Sequence, residues 1–282
     1  MRSRALVWSG LLCVVLALVG GGAAVAAPSS AGTFELGGQT CDLIPVPAVL
    51  AATPVGFGAC PGVRPGALVE TDKGFCTMNF LFRGGDRRTY VGTAGHCILG
   101  ESIFREEIGE QTWARGKGPV AYDSAGRRIG EFAYAILLSP KDFALIRLDP
   151  GVKFNPQMCH FGGPTAMFDK TVSGRLVTLH HYGNGLGVGD TVPARTHYTY
   201  GMPDPDHVYG WGAIIQGDSG AGLIDDRGRA IGVIVTNGLH GIGFGSGAID
   251  GGTFGVTRIK PQVTRASAAM RISLRLLTAP RL

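Results

Sequence analysis

The sequence predicts an all-β protein, and three observations support this fold class. Glycine accounts for 46 of the 282 residues, about 16% against about 7% in an average protein. Charged residues make up only 17% of the chain and hydrophobic residues 45%, which excludes a disordered protein and allows a sizeable buried core. Short runs of β-forming residues recur between glycine turns. The glycines have no three-residue period and weaken helix interiors, which excludes collagen and a long coiled coil.

The first 26 residues have the pattern of a secretory signal peptide. Arg2 and Arg4 precede an apolar run over Ala5–Val19, and Ala24-Val25-Ala26 provides a small-x-small cleavage site. The run has about 15 residues, fewer than the ~20 that a membrane span requires. We therefore expect an exported, extracellular protein that keeps no membrane span after cleavage.

The rest of the chain divides into four segments. Residues 27–68 are rich in proline, glycine and alanine and predict an irregular N-terminal extension. Two β-rich segments follow, at 69–160 and 161–261, joined by a stretch around 155–170 that contains prolines and glycines. Residues 262–282 predict a C-terminal helix and tail.

Strand candidates are short and lie between glycine-containing turns. Gly84-Gly85 and Asp226-Arg227-Gly228 are typical of hairpin turns between apolar runs. The candidate strands are Phe75–Phe82, Tyr90–Ala94, Arg128–Leu138, Phe143–Leu148, Gly174–His181, Ala213–Gln216, Gly222–Ile224, Ala230–Thr236 and Thr253–Ile259. Their number and spacing favour a sandwich or barrels.

The C-terminal segment is basic and predicts a helix over residues 262–277. Apolar residues recur there at helical spacing, with arginines between them: Val263, Ala266, Met270, Leu274 and Leu277. A helix that packs on the protein body is favoured over an amphipathic helix on a membrane surface. Six basic residues and no acidic residue follow Asp250, so the basic excess is local and does not predict a nucleic-acid-binding surface.

Cysteine usage favours disulfide bonds. Cys13 lies in the signal peptide, which leaves five cysteines: Cys41, Cys60, Cys76, Cys97 and Cys159. Cysteines outside the cytoplasm generally pair, and the odd number leaves one over. The chain has no Cys-x-x-Cys motif, so we expect no structural zinc site.

Three short motifs carry the candidate chemistry. They are Thr93-Ala94-Gly95-His96-Cys97, the run Asp142–Leu148, and Gly217-Asp218-Ser219-Gly220-Ala221-Gly222. Each motif alone is common in a structural role. In this order they provide a base, an acid that orients the base, and a nucleophile, which are the groups that acyl transfer requires.

Two other hydrolase classes fit the residues poorly. An α/β-hydrolase needs Gly-x-Ser-x-Gly between a strand and a helix, whereas Ala221 follows two positions after Ser219 and a β-like run comes next. The chain lacks His-Glu-x-x-His, and the adjacent His180 and His181 would point to opposite faces of a strand. We therefore expect no catalytic metal ion.

With these motifs, residues 69–260 resemble the secreted chymotrypsin/trypsin-like serine peptidases. The resemblance is greatest to glycine-rich actinobacterial members, because of Gly74-Phe75-Cys76 and Gly252-Thr253-Phe254. It implies two six-stranded antiparallel β-barrels packed together with the active site between them, plus the C-terminal helix. It also implies a monomer that acts on protein or peptide substrates and needs no cofactor.

The resemblance gives each candidate site residue a role. Ser219 is the nucleophile, His96 the general base, and Asp142 the acid that orients His96. The backbone N–H groups of Gly217 and Ser219 form the oxyanion hole. The family pattern also pairs Cys76 with Cys97.

The pairing of the other cysteines stays open. In some family members a cysteine after the catalytic acid ties an N-terminal segment to the body, so Cys159 pairs with Cys41 or Cys60. The competing assignment is Cys41–Cys60 with Cys159 free.

The family alignment also predicts the specificity pocket. Ala213 takes the position at the base of the pocket and carries no charge, while Thr236, Asn237 and Gly238 form one wall. We therefore expect an apolar or small P1 side chain. Asp250 restores a charge if the alignment of its loop differs.

The chain departs from the family in its mode of activation. No Ile/Val-Val-Gly-Gly start precedes Cys76, so Asp218 cannot pair with the amine that such a start frees. An arginine, as in bacterial relatives, is the expected partner of Asp218. Without such a partner the pocket would be poorly built, and the chain would be a weakly active or inactive homologue that binds proteins or the cell surface.

Overall fold

The structure of the chain is a computed structural model. The described residues are 33–36, 39–42, 60–100, 109–138, 140–168, 177–184, 194–199, 205–212, 214, 217–237 and 253–282. The chain divides into two units, Met1–Thr53 and Pro54–Leu282. In the first unit, strands β1 (Thr33–Leu36) and β2 (Gln39–Asp42) form an antiparallel pair. The predicted signal peptide, residues 1–26, lies outside the described residues.

Nine of the described strands form the first large sheet of the second unit, in the order β18-β5-β6-β10-β9-β8-β3-β4 with β7 also paired to β9. Its strands are β3 (Leu68–Thr71), β4 (Gly74–Thr77), β5 (Leu81–Gly84), β6 (Thr89–Thr93), β7 (Gly109–Thr112), β8 (Val120–Asp123), β9 (Arg128–Leu138), β10 (Lys141–Leu148) and β18 (Leu274–Leu276). The short helix α1 (His96–Leu99) follows β6.

The first sheet closes into a barrel because one bent stretch of chain pairs with a different strand at each of its ends. Phe75–Phe82, which the sequence predicted as one strand, is split into β4 and β5. β4 pairs with β3, and β5 pairs with β6. The chain β6-β10-β9-β8-β3 thus begins and ends on the same run, so six strand positions form the first barrel.

The second sheet contains seven described strands in the order β11-β16-β15-β12-β13-β14-β17. They are β11 (Ala166–Met167), β12 (Val177–Tyr182), β13 (Ala194–Thr199), β14 (His207–Trp211), β15 (Gly222–Asp225), β16 (Arg229–Asn237) and β17 (Thr253–Arg258). Because β17 pairs with both β14 and β16, six of these strands close into the second barrel. The predicted all-β fold with two six-stranded barrels is confirmed.

Each barrel has its own apolar core, which explains why the strands read as apolar runs. The first barrel buries six aromatic side chains to 1% exposure or less: Phe80, Phe82, Tyr90, Phe132, Tyr134 and Phe143. The second barrel buries a cluster that includes Leu179, Val208, Leu223, Ile234, Phe254 and Val256. β9 is buried over eight successive positions, so its sequence lacks the alternation that a half-exposed strand would show.

Most predicted strands match the structure within a few residues. Arg128–Leu138 has the predicted bounds. The predicted Gly174–His181 strand corresponds to β12, Val177–Tyr182, and residues 174–176 lie outside the described residues. The predicted strand Ala213–Gln216 also lies outside them except for Ile214, which belongs to no strand.

The prediction of a helix over 262–277 is wrong at both ends. Helix α2 covers Ile259–Met270 and ends at Arg271, whose φ is 55°. The next residues form β18 instead, with Leu276 opposite Phe82 of β5. Leucines at 274, 276 and 277 suit a strand as well as a helix, and the open edge of β5 supplies the backbone partners that a strand needs.

The basic C-terminal segment packs on the protein body. α2 buries Ile259, Gln262, Val263 and Ala266, and its Arg265 guanidinium lies 3.3 Å from the Asp206 carboxylate. Near the C-terminus the Arg281 guanidinium lies 5.2 Å from the centre of the Phe161 ring. Arg265 and Arg281 therefore interact with other parts of the folded chain. In the described part of the chain, no helix has the length and apolar character to cross a membrane.

Two disulfides occur among the described residues. Cys76 pairs with Cys97, and Cys60 pairs with Cys159. The alternative pairing of Cys41 with Cys60, with Cys159 free, is therefore wrong. The side chain of Cys41 lies outside the described residues.

Residues 60–67 belong to the folded body, so the predicted extension 27–68 is too long at its C-terminal end. Val63 and Ala67 are 3% and 1% exposed. The Arg64 guanidinium donates two hydrogen bonds to the Gln157 carbonyl, at 2.8 and 3.0 Å. Together with the Cys60–Cys159 bond, these contacts fasten the segment to the connection between the barrels.

Candidate active site

The loop Gly217–Gly220, called the nucleophile loop after the predicted role of Ser219, precedes β15 of the second barrel but is bonded to the first. The Ser219 carbonyl accepts a hydrogen bond from the Thr77 amide at 2.8 Å. The Gly217 carbonyl accepts one from Thr77 Oγ1, also at 2.8 Å. On the other side, the Gly220 amide donates to the carbonyl of Ile234 in β16 at 2.8 Å. The loop therefore lies where the two barrels meet.

His96 and Asp142 come together because β6 and β10 are antiparallel neighbours, with Thr93 opposite Ala144. His96 Nδ1 lies 2.6 Å from Asp142 Oδ2. The other carboxylate oxygen, Oδ1, accepts the amides of Gly95 at 2.5 Å and His96 at 3.0 Å. With the carboxylate on Nδ1, the neutral imidazole carries its proton there and presents Nε2 as an acceptor.

Gly95 permits this approach because it has no side chain. A Cβ at position 95 would lie 2.0 Å from the Ile136 carbonyl oxygen and 3.1 Å from Asp142 Oδ1. Any larger residue would push the His96 turn away from β9 and β10. The glycine in the motif thus has a local steric reason.

Ser219 lies beside the turn that carries His96. The adjacent Gly220 packs against Thr93 and Ala94: a Cβ on Gly220 would lie 2.3 Å from Thr93 Oγ1 and 3.0 Å from the Ala94 amide nitrogen. Ser219 itself is partly exposed, whereas Asp218 and Gly220 on either side are buried. The structure thus brings the three motifs to one edge of the barrel interface.

The amides of Gly217 and Ser219 suit an oxyanion hole. Within the described residues, neither amide donates a hydrogen bond to a protein acceptor. Gly217 has a φ of +102°, a conformation that favours glycine. Amide donors that stabilise a developing oxyanion must be available at one turn, so these two amides remain candidates for that role.

Asp218 is a fully buried carboxylate whose partner is Arg195 of β13. The Arg195 guanidinium donates to both carboxylate oxygens: Nη2 lies 2.8 Å from Oδ1, and Nη1 contacts Oδ2. Burial acts to raise the pKa of Asp218, but the charge and hydrogen bonds of Arg195 and His181 outweigh it and hold that pKa well below its usual range. The structure therefore contains the arginine partner that the sequence predicted.

Two buried histidines adjoin this ion pair. His181 Nε2 lies 3.7 Å from Asp218 Oδ2, and His181 Nδ1 lies 2.6 Å from His197 Nε2, with the rings stacked. Both side chains are fully buried. Burial lowers the pKa of His181 and lowers that of His197 well below its usual value, so both are neutral at neutral pH.

Sequence reasoning did not predict this histidine pair. The adjacent His180 and His181 do point to opposite faces of β12, since His180 bonds to Asp226 and Thr196. The missing information was the register of β12 on β13, which places His181 opposite Arg195. An Arg-x-His pattern on the next strand was the available signal.

The predicted pocket residues are only partly described. Ala213, Gly238 and Asp250 lie outside the described residues. Thr236 and Asn237 end β16, where they pair with Gly255 and Phe254 of β17, and their side chains also lie outside the described part. The P1 preference therefore stays a prediction.

One cluster of possible metal ligands occurs among the described residues, namely Cys76, His96 and Cys97. Cys76 and Cys97 form a disulfide. A disulfide offers no thiolate, and the thiolate is the form that binds metal ions. This cluster therefore does not fit a metal site.

Solved structures with a similar fold share little sequence with the chain. A glutamic acid-specific serine protease that utilises a histidine triad in substrate binding has a TM-score of 0.51 and 16% identity, over 75% of this chain and 100% of its own. A Nocardiopsis protease has a TM-score of 0.49 and 15% identity, over 76% and 98% of the two chains. Thermobifida fusca Protease A has a TM-score of 0.49 and 16% identity, over 77% and 98%. The chain thus has the chymotrypsin-like double-barrel fold.

Sequence comparison adds no relative. No protein-family model matches the chain, and no curated protein sequence matches it.

Proposed function

We propose that the chain is a secreted serine endopeptidase that hydrolyses peptide bonds through an acyl-enzyme intermediate. The observation that carries the proposal is the 2.6 Å contact between His96 Nδ1 and Asp142 Oδ2, at the edge of the first barrel to which the Ser219 loop is bonded. The double-barrel fold, which serine proteases of known structure share, supports the same conclusion.

In the proposed reaction, Ser219 Oγ attacks the carbonyl carbon of the scissile peptide bond. His96 Nε2 takes the hydroxyl proton and later gives it to the leaving amine. Asp142 holds the imidazole in position and stabilises its charged form. The amides of Gly217 and Ser219 bind the oxyanion, and one such donor typically contributes about 3–4 kcal/mol in the transition state. A water molecule, activated by His96, then hydrolyses the acyl-enzyme.

The Arg195–Asp218 pair supports assembly of the site without a newly released N-terminus. A buried carboxylate needs a counter-charge, and Arg195 supplies it from within the second barrel. We therefore expect the site to form without cleavage before Cys76. This favours an active enzyme over the alternative of a weak or inactive binding homologue.

For specificity we propose an apolar or small P1 side chain. Ala213 carries no charge, and the glutamic acid-specific neighbour is described as using a histidine triad. In this chain the neighbouring His181 and His197 are fully buried and stacked on each other. Because neither ring is exposed, we propose that they are core groups and not direct acceptors for an acidic side chain.

A peptide library tests the proposal. The wild-type protein should cleave peptides after apolar or small residues, and Ser219→Ala should lose this activity while it stays folded. Ser267→Ala, at a partly buried position on α2, is a matched control that should retain full activity. A folded wild-type protein that cleaves no peptide would contradict the proposed function, and a preference for lysine, arginine or glutamate would contradict the pocket assignment.

A further inference from the structure

Thr77 is the one described residue that bonds to the nucleophile loop on both sides of Asp218. It immediately follows Cys76 and is fully buried. Its amide donates to the Ser219 carbonyl, and its hydroxyl donates to the Gly217 carbonyl, each at 2.8 Å. We propose that the Thr77 hydroxyl is a positioning group that holds the Gly217 amide in place for oxyanion binding, an inference that rests on the proposed function.

The direction of the Thr77 hydroxyl bond is forced by its neighbours. The Asn184 amide donates to Thr77 Oγ1 at 3.1 Å, and Asn184 Nδ2 approaches the same oxygen at 3.4 Å. A hydroxyl has a single proton to donate. Because its lone pairs face Asn184, the proton is directed at the Gly217 carbonyl.

Gly217 needs such a contact because its own backbone is permissive. Its φ of +102° is accessible to glycine, which also adopts many other conformations at little cost. Without a Cβ, local sterics do not keep the Gly217 amide pointing in one direction. A hydrogen bond to the Gly217 carbonyl fixes the following peptide unit and so restrains ψ, one of the two rotations that glycine leaves free.

Asn184, which donates to Thr77, is itself held by the folded body. Asn184 Nδ2 donates to the Gly66 carbonyl at 2.6 Å, in the segment that the Cys60–Cys159 disulfide ties down. Asn184 follows β12 of the second barrel, so Thr77 joins both barrels to the loop. Asn79 contributes one further bond, from Nδ2 to the Gly220 carbonyl at 3.1 Å, but this contact lies beyond the nucleophile.

The test compares Thr77→Val, which loses the hydroxyl, with Thr77→Ser, which keeps it. In Thr77→Val we expect kcat to fall about tenfold to a hundredfold, less than or equal to the loss of a whole oxyanion donor. KM should stay within about twofold, because the hydroxyl binds the loop and not the substrate. Thr77→Ser should restore most of kcat. Hydrogen exchange of the Gly217–Gly220 amides should be faster in Thr77→Val than in Thr77→Ser.

Thr257→Val is the matched control. Thr257 is also fully buried and places its hydroxyl 3.4 Å from the carbonyls of Pro140 and Asp206, away from the nucleophile loop. It should leave kcat and the exchange of the loop unchanged. An equal fall in kcat in Thr257→Val and Thr77→Val would show a general loss of stability and overturn the proposal.

The remaining outcomes are also decisive. Wild-type kcat and loop exchange in Thr77→Val would overturn the positioning role, while the proposed peptidase would stand. Faster loop exchange in Thr77→Val alone, in a chain whose wild type cleaves nothing, would support the restraint and contradict the peptidase. If Thr77→Val does not fold, Asn184→Ala should lower kcat in the same direction by a smaller factor, and an unchanged kcat would overturn the proposal.

Discussion

The two buried carboxylates beside the candidate site, Asp142 and Asp218, are stabilised in different ways. Asp142 keeps 9% of its side chain exposed and is bonded to two backbone amides and the His96 ring. Asp218 has no exposed side chain and is bonded to a guanidinium, with His181 at 3.7 Å. One Asp142 oxygen, Oδ2, contacts the ring of His96, the proposed general base. Asp218 directs both oxygens at Arg195.

The difference shows what each carboxylate does. Backbone amides stabilise a carboxylate without neutralising it, so in the proposed reaction the Asp142 carboxylate can stabilise a protonated His96. Full burial is costly for an unpaired charge, and a bidentate arginine offsets that cost. Asp218 is therefore a structural group that holds the nucleophile loop, whereas Asp142 contacts His96, the general base of the proposed reaction. The predictions below test this division, from the largest expected effect to the smallest.

Asp142→Asn should produce the largest loss of activity. The asparagine oxygen can still accept the amides of Gly95 and His96, so the fold should be kept. Its NH2 group would face His96 Nδ1 and force the ring proton onto Nε2, which then cannot accept the Ser219 proton. We expect kcat to fall by about 10⁴-fold, measured with a peptide or ester substrate. A fall of less than tenfold would contradict the role of Asp142.

Arg195→Met should produce the largest loss of stability. It leaves the Asp218 charge buried without a counter-charge, which costs about 3–5 kcal/mol. Urea unfolding monitored by fluorescence measures this loss. The double variant Arg195→Met/Asp218→Asn, which removes both charges, should recover part of it. If the double variant is no more stable than the single variant, charge compensation is not the role of Arg195.

The stability of the fold should also fall with acid because of His181 and His197. Burial lowers their pKa below 6.5 in the folded protein, so the unfolded chain binds more protons as the pH falls below about 6.5. The free energy of unfolding is therefore highest above this pH and declines below it, by up to about 1.4 kcal/mol per pH unit for each histidine.

Unfolding curves between about pH 7 and pH 5 measure this slope, in a range above the titration of ordinary carboxylates. The variant His181→Gln/His197→Gln should have a shallower slope than the wild type. An unchanged slope would mean that these histidines are not the neutral core groups described above.

Arg128→Gln should produce the smallest effect and provides a reference ion pair. Arg128 Nε, at the start of β9, lies 2.7 Å from Asp149 Oδ2, and the two side chains are 49% and 34% exposed. Water solvates much of this guanidinium, so we expect a loss of under about 1 kcal/mol by the same urea measurement. A loss as large as that of Arg195→Met would remove the distinction between the buried pair and the surface pair.

The fold and the candidate catalytic residues could be predicted from the sequence because both depend on local patterns. Glycine turns and apolar runs indicated an all-β sandwich or barrels, and the order of His96, Asp142 and Ser219 indicated the peptidase family whose fold has two barrels. Arg195 and the histidine pair belong to no motif that indicates a function, and their one sequence signal is the Arg-x-His spacing on β13. They meet Asp218 only through the register of β12 on β13, which depends on pairing between distant segments.

The predicted ends of two segments, the C-terminal helix and the N-terminal extension, were wrong for a related reason. The apolar spacing of Leu274 and Leu277 fits a helix, but the free edge of β5 makes a strand favourable there. Residues 60–67 look irregular in sequence, yet the Cys60–Cys159 bond and the Arg64 contacts make them part of the body. In both places a partner far away in the sequence decides the local structure.

The central claim is that Ser219 is a nucleophile activated by His96 and Asp142. The most direct measurement is the mass of the Ser219-containing peptide after reaction of the folded protein with a serine-directed phosphonate. We predict a covalent adduct on Ser219 in the wild type, and its formation should slow by orders of magnitude in Asp142→Asn. A folded wild-type protein with no adduct on Ser219, or with the adduct on another serine, would contradict the account.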